Sequence, residues 1–136
     1  MVKSFSGAKI QCMRQYIKPS LSQKPDHVII HIGTNDLASK LSAVNISNSI
    51  IDLATSSAND HLNITVSGIV PRSDDLAIKA KEVNELLQRS CNERNIPFID
   101  HENIDPSHHL NRSKLHLNKK GTKLISKTFT RYISKC

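Results

Sequence analysis

Three short apolar runs, separated by stretches with helical spacing, constrain the fold of this chain more than any other feature of its sequence. The runs are His27–Ile32, Asn63–Val70 and Ile96–Ile99. The first is rich in β-branched residues and lies between Pro25-Asp26 and Gly33, which is typical of a strand buried on both faces. The sequence therefore predicts three strands that helices cover.

Apolar residues at helical spacing mark the segments on either side of the predicted strands. These segments are Ala8–Ile17, which Pro19 closes, Ala43–Ser57, Asp74–Asn95 and Leu117–Ile133. In the third, Asp74 or Asp75 is the expected N-cap. Its expected inward residues are Ile78, Val83, Leu86 and Leu87. Because strands alternate with helices, we predict one α/β domain over residues 1–136, with a parallel sheet covered on both faces.

The composition fits a small globular domain without a membrane span or a cofactor motif. Apolar residues make up 38% of the 136 residues, and no apolar run approaches the roughly 20 residues that cross a bilayer. Residues 1–7 lack the apolar segment of a signal peptide. Cys12, Cys91 and Cys136 are odd in number and form no Cys-x-x-Cys pair. Reduced thiols, no metal and a cytoplasmic location are therefore expected.

The positive charge of the chain is concentrated in its last segment. The formal net charge is +7, from 19 basic and 12 acidic residues. Residues 112–136 hold eight of the basic residues and no acidic residue, so the remainder has 11 basic and 12 acidic residues. In the predicted last helix, basic residues recur at every fourth position. This basic stripe consists of Lys119, Lys123, Lys127 and Arg131, and Lys135, which lies outside the residues described below, continues the spacing.

The basic stripe faces away from the predicted apolar side of the same helix. The apolar side is expected to hold Leu117, Leu124, Ile125, Phe129, Tyr132 and Ile133. Three interpretations of the stripe are open: a solvated face, a surface that contacts nucleic-acid phosphates, and a surface that binds a membrane. Aromatic residues make up only 4% of the chain, so stacking on bases is not supported.

Two polar motifs are expected at the carboxyl edge of the predicted sheet, where functional groups of parallel α/β proteins gather. The motifs are Gly33-Thr34-Asn35-Asp36 and His116-x-Asn118-x-x-Gly121. The first directly follows a predicted strand, and the second stands at the start of the last predicted helix.

These motifs, in this order and spacing relative to the strands and helices, resemble the SGNH hydrolase superfamily, which includes the GDSL-type esterases and lipases. The resemblance runs from Phe5-Ser6-Gly7 to the last helix. It implies a three-layer α/β/α fold with a flavodoxin-like parallel sheet, and hydrolysis of an ester or acetyl group. It also implies that Gly7 and Asn35 donate to the oxyanion and that His116 is the catalytic base.

Two elements of the family's site are absent from this sequence. No Gly-Asp-Ser block, which carries the nucleophile after the family's first strand, occurs in the chain, and Ser113 occupies the acid position of the Asp-x-x-His motif. Loss of the orienting carboxylate costs about 10⁴-fold in kcat in serine proteases, and loss of the nucleophile about 10⁶-fold. We therefore predict an esterase-like domain with impaired or no activity, unless Asp100 or Asp105 replaces the acid.

The resemblance also implies that the sheet lacks its first strand. In the family this strand lies in the interior, between the second and third strands. Val2–Phe5 therefore loses its neighbour, and His27–Ile32 gains an unpaired apolar edge. We expect either an N-terminally truncated chain or a sheet that a strand of another chain completes.

Each site residue also has a structural interpretation that the sequence leaves open. Asn35 and Asp36 are typical of an Asx turn, and Gly7 of an ordinary turn. Asn118 is a suitable helix cap, and His116 a structural residue at the start of a helix.

Two further polar segments have competing interpretations. His108-His109 resembles a metal pair, but no second cluster accompanies it, which favours a solvated loop. Residues 71–74, Pro-Arg-Ser-Asp, follow the second predicted strand and are expected to cap the next helix or to contact a ligand.

Overall fold

Short helices alternate with three strands in this computed structural model, which describes residues 7–59, 62–114 and 116–134. The helices are α1 Ile10–Tyr16, α2 Lys18–Ser22, α3 Ala43–Ser57, α4 Ala77–Glu93, α5 Pro106–His109 and α6 Lys119–Ser134. The strands are β1 His27–His31, β2 Asn63–Ser67 and β3 Phe98–Ile99, and a 3₁₀ turn spans Thr34–Asp36. The predicted strand Val2–Phe5 lies outside the described residues.

The strands form one parallel sheet in the order β1-β2-β3. β1 pairs with β2 from His27 opposite Asn63 to His31 opposite Ser67, and Ser67 also lies opposite Ile99 of β3. Parallel neighbours need a crossover connection, which α3 supplies between β1 and β2 and α4 between β2 and β3. The predicted class is confirmed as a three-layer α/β/α fold.

The main core lies between the sheet and the layer formed by α3 and α4. Its largest buried side chains are aliphatic and include Ile30, Val66, Ile46, Ile50, Leu53, Val83 and Leu87. Burying each such side chain contributes roughly 2 kcal/mol. A smaller buried cluster on the opposite side, Val70, Ile104, Leu110 and Ile125, includes a side chain of α6.

β1 differs from the predicted strand buried on both faces. It ends at His31, and Ile30 is the one buried residue of its five. Among the described residues β1 pairs with β2 alone, so its other edge has no described neighbour to cover it. Completion of the sheet by a strand of another chain stays a prediction.

The inner side of α4 was predicted correctly at Val83 and Leu87 and wrongly at Ile78. The buried residues of α4 are Ala80, Val83, Leu87 and Cys91. Ile78 precedes Ala80 by two residues, which places it about 200° around the helix axis from that side. It is 75% exposed and lines an open cavity of about 450 Å³ between α4 and β3.

The first and last helices also differ from the predicted ones. Pro19, expected to close the first helix, stands instead in the first turn of α2, where its missing N–H is tolerated. α6 begins at Lys119 rather than at Leu117, and Ile133 of its predicted apolar side is 55% exposed. None of the helices in the described part of the chain has both the length and the apolar character needed to cross a membrane.

Candidate active site

The turn after β1 begins at Gly33, where both the backbone and its surroundings require glycine. The φ angle of Gly33 is 121°, and a Cβ there would lie 3.1 Å from Cδ1 of Ile50 and 3.2 Å from Cδ1 of Ile69. The 3₁₀ turn Thr34–Asp36 follows at once and carries the polar residues of the motif. The motif thus follows the carboxyl end of a strand, as predicted.

Asn35 and Asp36 fasten the segment before α1 to this turn. The side-chain amide of Asn35 donates to the carbonyl of Ala8 at 3.0 Å, and Oδ2 of Asp36 accepts the N–H of Ile10 at 3.2 Å. Burial raises the pKa of the Asp36 carboxyl. These partners lie 27 and 26 positions earlier in the chain, which is unlike a local Asx turn. The carboxamide of Asn35 therefore meets the segment that begins with Gly7, an exposed residue with a φ of 74°.

Arg72 joins the turn after β1 to the loop after β2. The residue is 8% exposed, and its guanidinium donates through two nitrogens to the carboxylate of Asp74 and at 3.2 Å to the carbonyl of Thr34. The hydrogen bond from Arg72 holds the pKa of Asp74 below its usual range. Asp74 also accepts the N–H of Leu76 at 3.3 Å, ahead of α4. The N-cap of α4 is Leu76, without a side-chain cap hydrogen bond, so the predicted cap at Asp74 or Asp75 is wrong. Residues 71–74 instead join two loops ahead of the helix.

The segment that carries His116 is tied to the same loop. The N–H of Ser73 donates to the carbonyl of Lys114 at 3.1 Å. The backbone of His116 is held by two further bonds: its N–H donates to Oγ of Ser113 at 3.1 Å, and its carbonyl accepts the N–H of Asn111 at 2.8 Å. The imidazole of His116 is exposed and has no hydrogen-bond partner among the described residues.

No carboxylate in the described part of the chain orients His116. Ser113, at the acid position of the motif, instead donates its hydroxyl to Oδ1 of Asn111 and closes a turn. The two acids proposed as replacements have other partners. The Asp105 carboxylate accepts the N–H and hydroxyl of Ser107, and Asp100 accepts the N–H of Glu102. Among the described residues, neither Asp100 nor Asp105 bonds to the imidazole of His116.

Asn118 and Gly121 of the second motif have structural roles. Oδ1 of Asn118 accepts the N–H of Gly121 at 2.9 Å, which confirms the predicted cap of α6. Its side-chain amide donates to the carbonyls of His108 and Leu110, at 2.8 and 3.3 Å, and its backbone N–H to the carbonyl of His109, at 2.9 Å. Together these bonds fix the start of α6 to α5.

A polar cluster that sequence reasoning missed, buried at Ser67 and His101 and partly exposed at His31, lies near the carboxyl end of the sheet. Nδ1 of His31 lies 2.8 Å from Oγ of Ser67, and Nε2 of His101 lies 2.6 Å from the same oxygen. We call these three residues the histidine–serine cluster. The Phe129 ring of α6 contacts both imidazoles edge-on, with centroid distances of 5.8 Å to His31 and 5.9 Å to His101.

Both imidazoles of the histidine–serine cluster favour the neutral form. Burial is the main cause that lowers the pKa of His101 to about 4, with a small opposing effect of Asp100. Desolvation also lowers the pKa of His31 to about 4, and the neighbouring His101 lowers it further. A hydrogen bond with the backbone of Gly68 acts in the opposite direction, and part of His31 remains exposed. The Ser67 hydroxyl has one proton, which it can donate to a neutral ring or, at 3.5 Å, to the carbonyl of Gly68.

The cluster has the contacts of a serine–histidine pair but not the accessibility of a nucleophile. Ser67 is 1% exposed, so an ester has no path to its oxygen. A sequence signal for the cluster exists in retrospect. His27 and His31 alternate with aliphatic residues in β1, as Thr65 and Ser67 do in β2, and Nε2 of His27 lies 2.8 Å from Oγ1 of Thr65. Imidazoles and hydroxyls therefore line one face of the sheet.

A metal centre finds no support in the described part of the chain, where no group of three or more His, Cys, Asp or Glu side chains converges. His109 accepts the N–H of Asp105 through Nδ1 at 2.7 Å, and His108 lies 3.8 Å from the Asp105 carboxylate. Cys12 and Cys91 are free thiols, and burial raises the pKa of Cys91 to about 11.

The basic stripe lies on the surface of α6. All four of its members are exposed: Lys119, Lys123, Lys127 and Arg131. The ion pairs of the described residues are Arg72 with Asp74 and His108 with Asp105, so no carboxylate pairs with the stripe there. Lys119 and Lys120 also stand in the first turn of α6, where the helix dipole disfavours positive charge.

The fold and the turn after β1 define a GDSL-type architecture. A model of the GDSL-like lipase/acylhydrolase family matches residues 1–124, and the chain belongs to this family. No curated protein matches the sequence.

Solved structures of several bacterial enzymes share the fold at low sequence identity. A GDSL-like lipase from Bacteroides thetaiotaomicron is similar with a TM-score of 0.84 and 16% identity, over 98% of this chain and 74% of that one. A lipase/acylhydrolase from Enterococcus faecalis has a TM-score of 0.80 and 18% identity, over 93% and 71%. The esterase EstA from Pseudoalteromonas sp. has a TM-score of 0.74 and 20% identity, over 96% and 73%.

Proposed function

We propose that this chain is an acyl-hydrolase-type domain that keeps the oxyanion side of the family's site but hydrolyses esters poorly or not at all. The observation that carries the proposal is the carboxamide of Asn35 against the segment that begins with Gly7. A carboxamide nitrogen has two hydrogens, and Ala8 accepts one of them. The second N–H of Asn35 and the N–H of Gly7 are the two donors that we assign to an ester carbonyl.

The other half of the site supports the absence of efficient catalysis. Acyl transfer needs a nucleophile within reach of a base, and the 136 residues contain no Gly-Asp-Ser block. The proposed base, His116, is exposed, and Ser113 at the acid position serves its backbone rather than its ring. A bound ester carbonyl would be polarised but not attacked.

Purified protein is expected to hydrolyse p-nitrophenyl acetate no faster than buffer at pH 7 to 8. The His116→Ala variant is expected to give the same rate, because a base without a nucleophile beside it has no proton to remove. The measurement is the initial rate of p-nitrophenolate release, followed over a range of protein concentrations.

The matched control is His108→Ala, since His108 is another exposed histidine that the proposed site does not use. A rate that rises with protein concentration, disappears in His116→Ala and survives in His108→Ala would overturn the proposed lack of activity. A rate lost equally in both variants would point to nonspecific imidazole catalysis and leave the proposal standing.

A second candidate function is the binding of nucleic-acid phosphates by the basic stripe. It is supported by the exposure of all four side chains and by the lack of any acidic residue from 112 to 136. Successive members lie four residues apart, about 6 Å along the helix axis, so they form a continuous positive row. Such a surface binds through charge and without base readout.

The stripe predicts retention of a labelled DNA oligonucleotide that weakens as salt is raised. Replacing Lys119, Lys123 and Lys127 with glutamine should abolish retention at moderate salt, because each lost phosphate contact lowers the slope of log K against log[salt] by about 0.9. The measurement is filter binding at several salt concentrations.

The control for this experiment is a second triple variant of the same charge change. Lys18, Lys40 and Lys81 are exposed and lie outside α6, and their replacement with glutamine should leave most of the binding intact. Equal loss in both triple variants would show that net charge alone retains the oligonucleotide, and the assignment to the stripe would be wrong.

A further inference from the structure

The histidine–serine cluster lies between the sheet and α6 and has no part in the proposed ester site. The Phe129 ring of α6 contacts both imidazoles edge-on, and His101 is 3% exposed, whereas His31 is partly exposed. We propose that the cluster is an acid-sensitive latch, which holds α6 on the sheet while both imidazoles are neutral and releases the helix when they take up protons.

A neutral imidazole can accept the Ser67 proton while the other ring donates to Oγ, so a single hydroxyl can serve both rings. In imidazolium form each ring nitrogen is a donor, and neither ring can accept from Ser67. Nδ1 of His101 is already buried without a partner, so its added N–H would have no acceptor there.

The charged groups around the cluster do not compensate a buried imidazolium. Asp100 is the carboxylate that acts on His101, and its effect is smaller than that of burial. The centroids of His31 and His101 are 5.6 Å apart, so two imidazolium ions would repel each other. α6 contributes an aromatic ring and contains no acidic residue, while His27 on the same sheet face bonds Thr65.

The difference between the pKa of His101 in the closed form and in the released form determines in which direction, and over which pH range, α6 is released. The pKa is about 4 for His101 on the closed sheet and about 6.5 for a solvated histidine. Protons therefore bind the released form more strongly, and the closed form loses stability as the pH falls from about 6.5 towards 4. Over this range His101 alone raises the opening constant about tenfold per pH unit, and His31, being partly exposed, adds at most a further tenfold.

Carboxyl groups whose pKa is lowered take up protons at a more acidic pH than the two histidines of the cluster. Asp74 and Asp105 have pKa values below the usual range, so each remains ionised while the histidines take up protons. A loss of structure between pH 6.5 and 4 that is confined to α6 would therefore report on the cluster.

The experiment is amide hydrogen exchange of the full chain, measured by mass spectrometry at pH values from 7 to 4.5. A peptide from α6 is compared with a peptide from α3, which packs in the core on the opposite face of the sheet. Dividing the protection factor of the α6 peptide by that of the α3 peptide cancels the intrinsic pH dependence of amide exchange. We expect this ratio to fall by up to about tenfold per pH unit between about pH 6 and 4.5.

Two substitutions remove the titration while keeping the bonds to Ser67. His101→Gln places an amide near the position of Nε2, and His31→Asn places one near the position of Nδ1. In the double variant, the protection ratio should stay constant from pH 7 to 4.5. The matched control is His108→Gln, an exposed histidine outside the cluster, which should behave like the unmodified chain.

Two results would overturn the proposal: α6 and α3 losing protection together at the same pH, or the double variant keeping the full pH dependence. If the double variant does not fold, the histidine Cε1–H resonances of the unmodified chain replace it. Titration of His31 and His101 near pH 6.5 with α6 still protected would contradict the latch, and titration that coincides with loss of α6 protection would support it.

Discussion

Replacing Gly121 with alanine will destabilise the chain by about 3 kcal/mol, although at an open helix position the same change stabilises by about 1 kcal/mol. A Cβ at Gly121 would lie 2.3 Å from the carbonyl oxygen of His109 and 2.8 Å from Cδ2 of Leu117. The carbonyl is backbone and already accepts the N–H of Asn118, so α6 must move away from α5. The measurement is the free energy of unfolding in urea.

The control for Gly121→Ala is Ser126→Ala, at an exposed position of the same helix, which should be neutral or slightly stabilising. Unchanged stability of Gly121→Ala would mean that the contact with His109 relaxes at no cost, and the close approach of α5 and α6 would then have no energetic role.

Asn84→Ala is expected to lower the free energy of unfolding by about 3 kcal/mol, because two buried backbone groups lose their partners. Oδ1 of Asn84 accepts the N–H of Ile69 at 2.8 Å, and Nδ2 donates to the carbonyl of Ile69 at 2.8 Å. Ile69 is 2% exposed, so its N–H and carbonyl depend on Asn84 for these two bonds. The substitution should also loosen the loop after β2, which contains Arg72. Urea unfolding measures the loss.

Two further variants separate hydrogen bonding from packing at this position. Asn84→Asp keeps the size of the side chain but places an oxygen against the Ile69 carbonyl, so it should destabilise nearly as much as alanine. Asn92→Ala removes an exposed amide of the same helix and should have little effect. If Asn84→Asp were as stable as the unmodified chain, the paired bonds to Ile69 would not be the source of the stability.

Elements with local signals were predicted well from the sequence. α3 runs from Ala43 to Ser57 as predicted, since Ser42 accepts the N–H of Asn45 at its start and its apolar residues recur at helical spacing. The strands are shorter than predicted. β2 ends at Ser67 rather than at Val70, because pairing with neighbours, and not the length of an apolar run, determines where a strand ends.

The candidate site was predicted in part. The resemblance and the strand pattern together place Asn35 after β1, and the contact of its amide with Ala8 brings it to the segment of Gly7. His31 and His101 were missed, because each looks ordinary in its own segment. The alternation of polar and aliphatic residues in β1 and β2 indicates a polar sheet face, but it does not show that His101, in the loop after β3, meets His31 at Ser67.

The polar pairs on the α6 face also specify the register of β1 against β2. Side chains alternate between the two faces of a strand, so a slip of one residue would turn His27 and His31 into the aliphatic layer of α3 and α4. There neither imidazole would find a hydroxyl, and each unpaired ring would cost on the order of 1–3 kcal/mol. β1 is too little buried for apolar burial alone to exclude that alignment. Its two imidazoles thus act against mispairing of a strand that has one neighbour among the described residues.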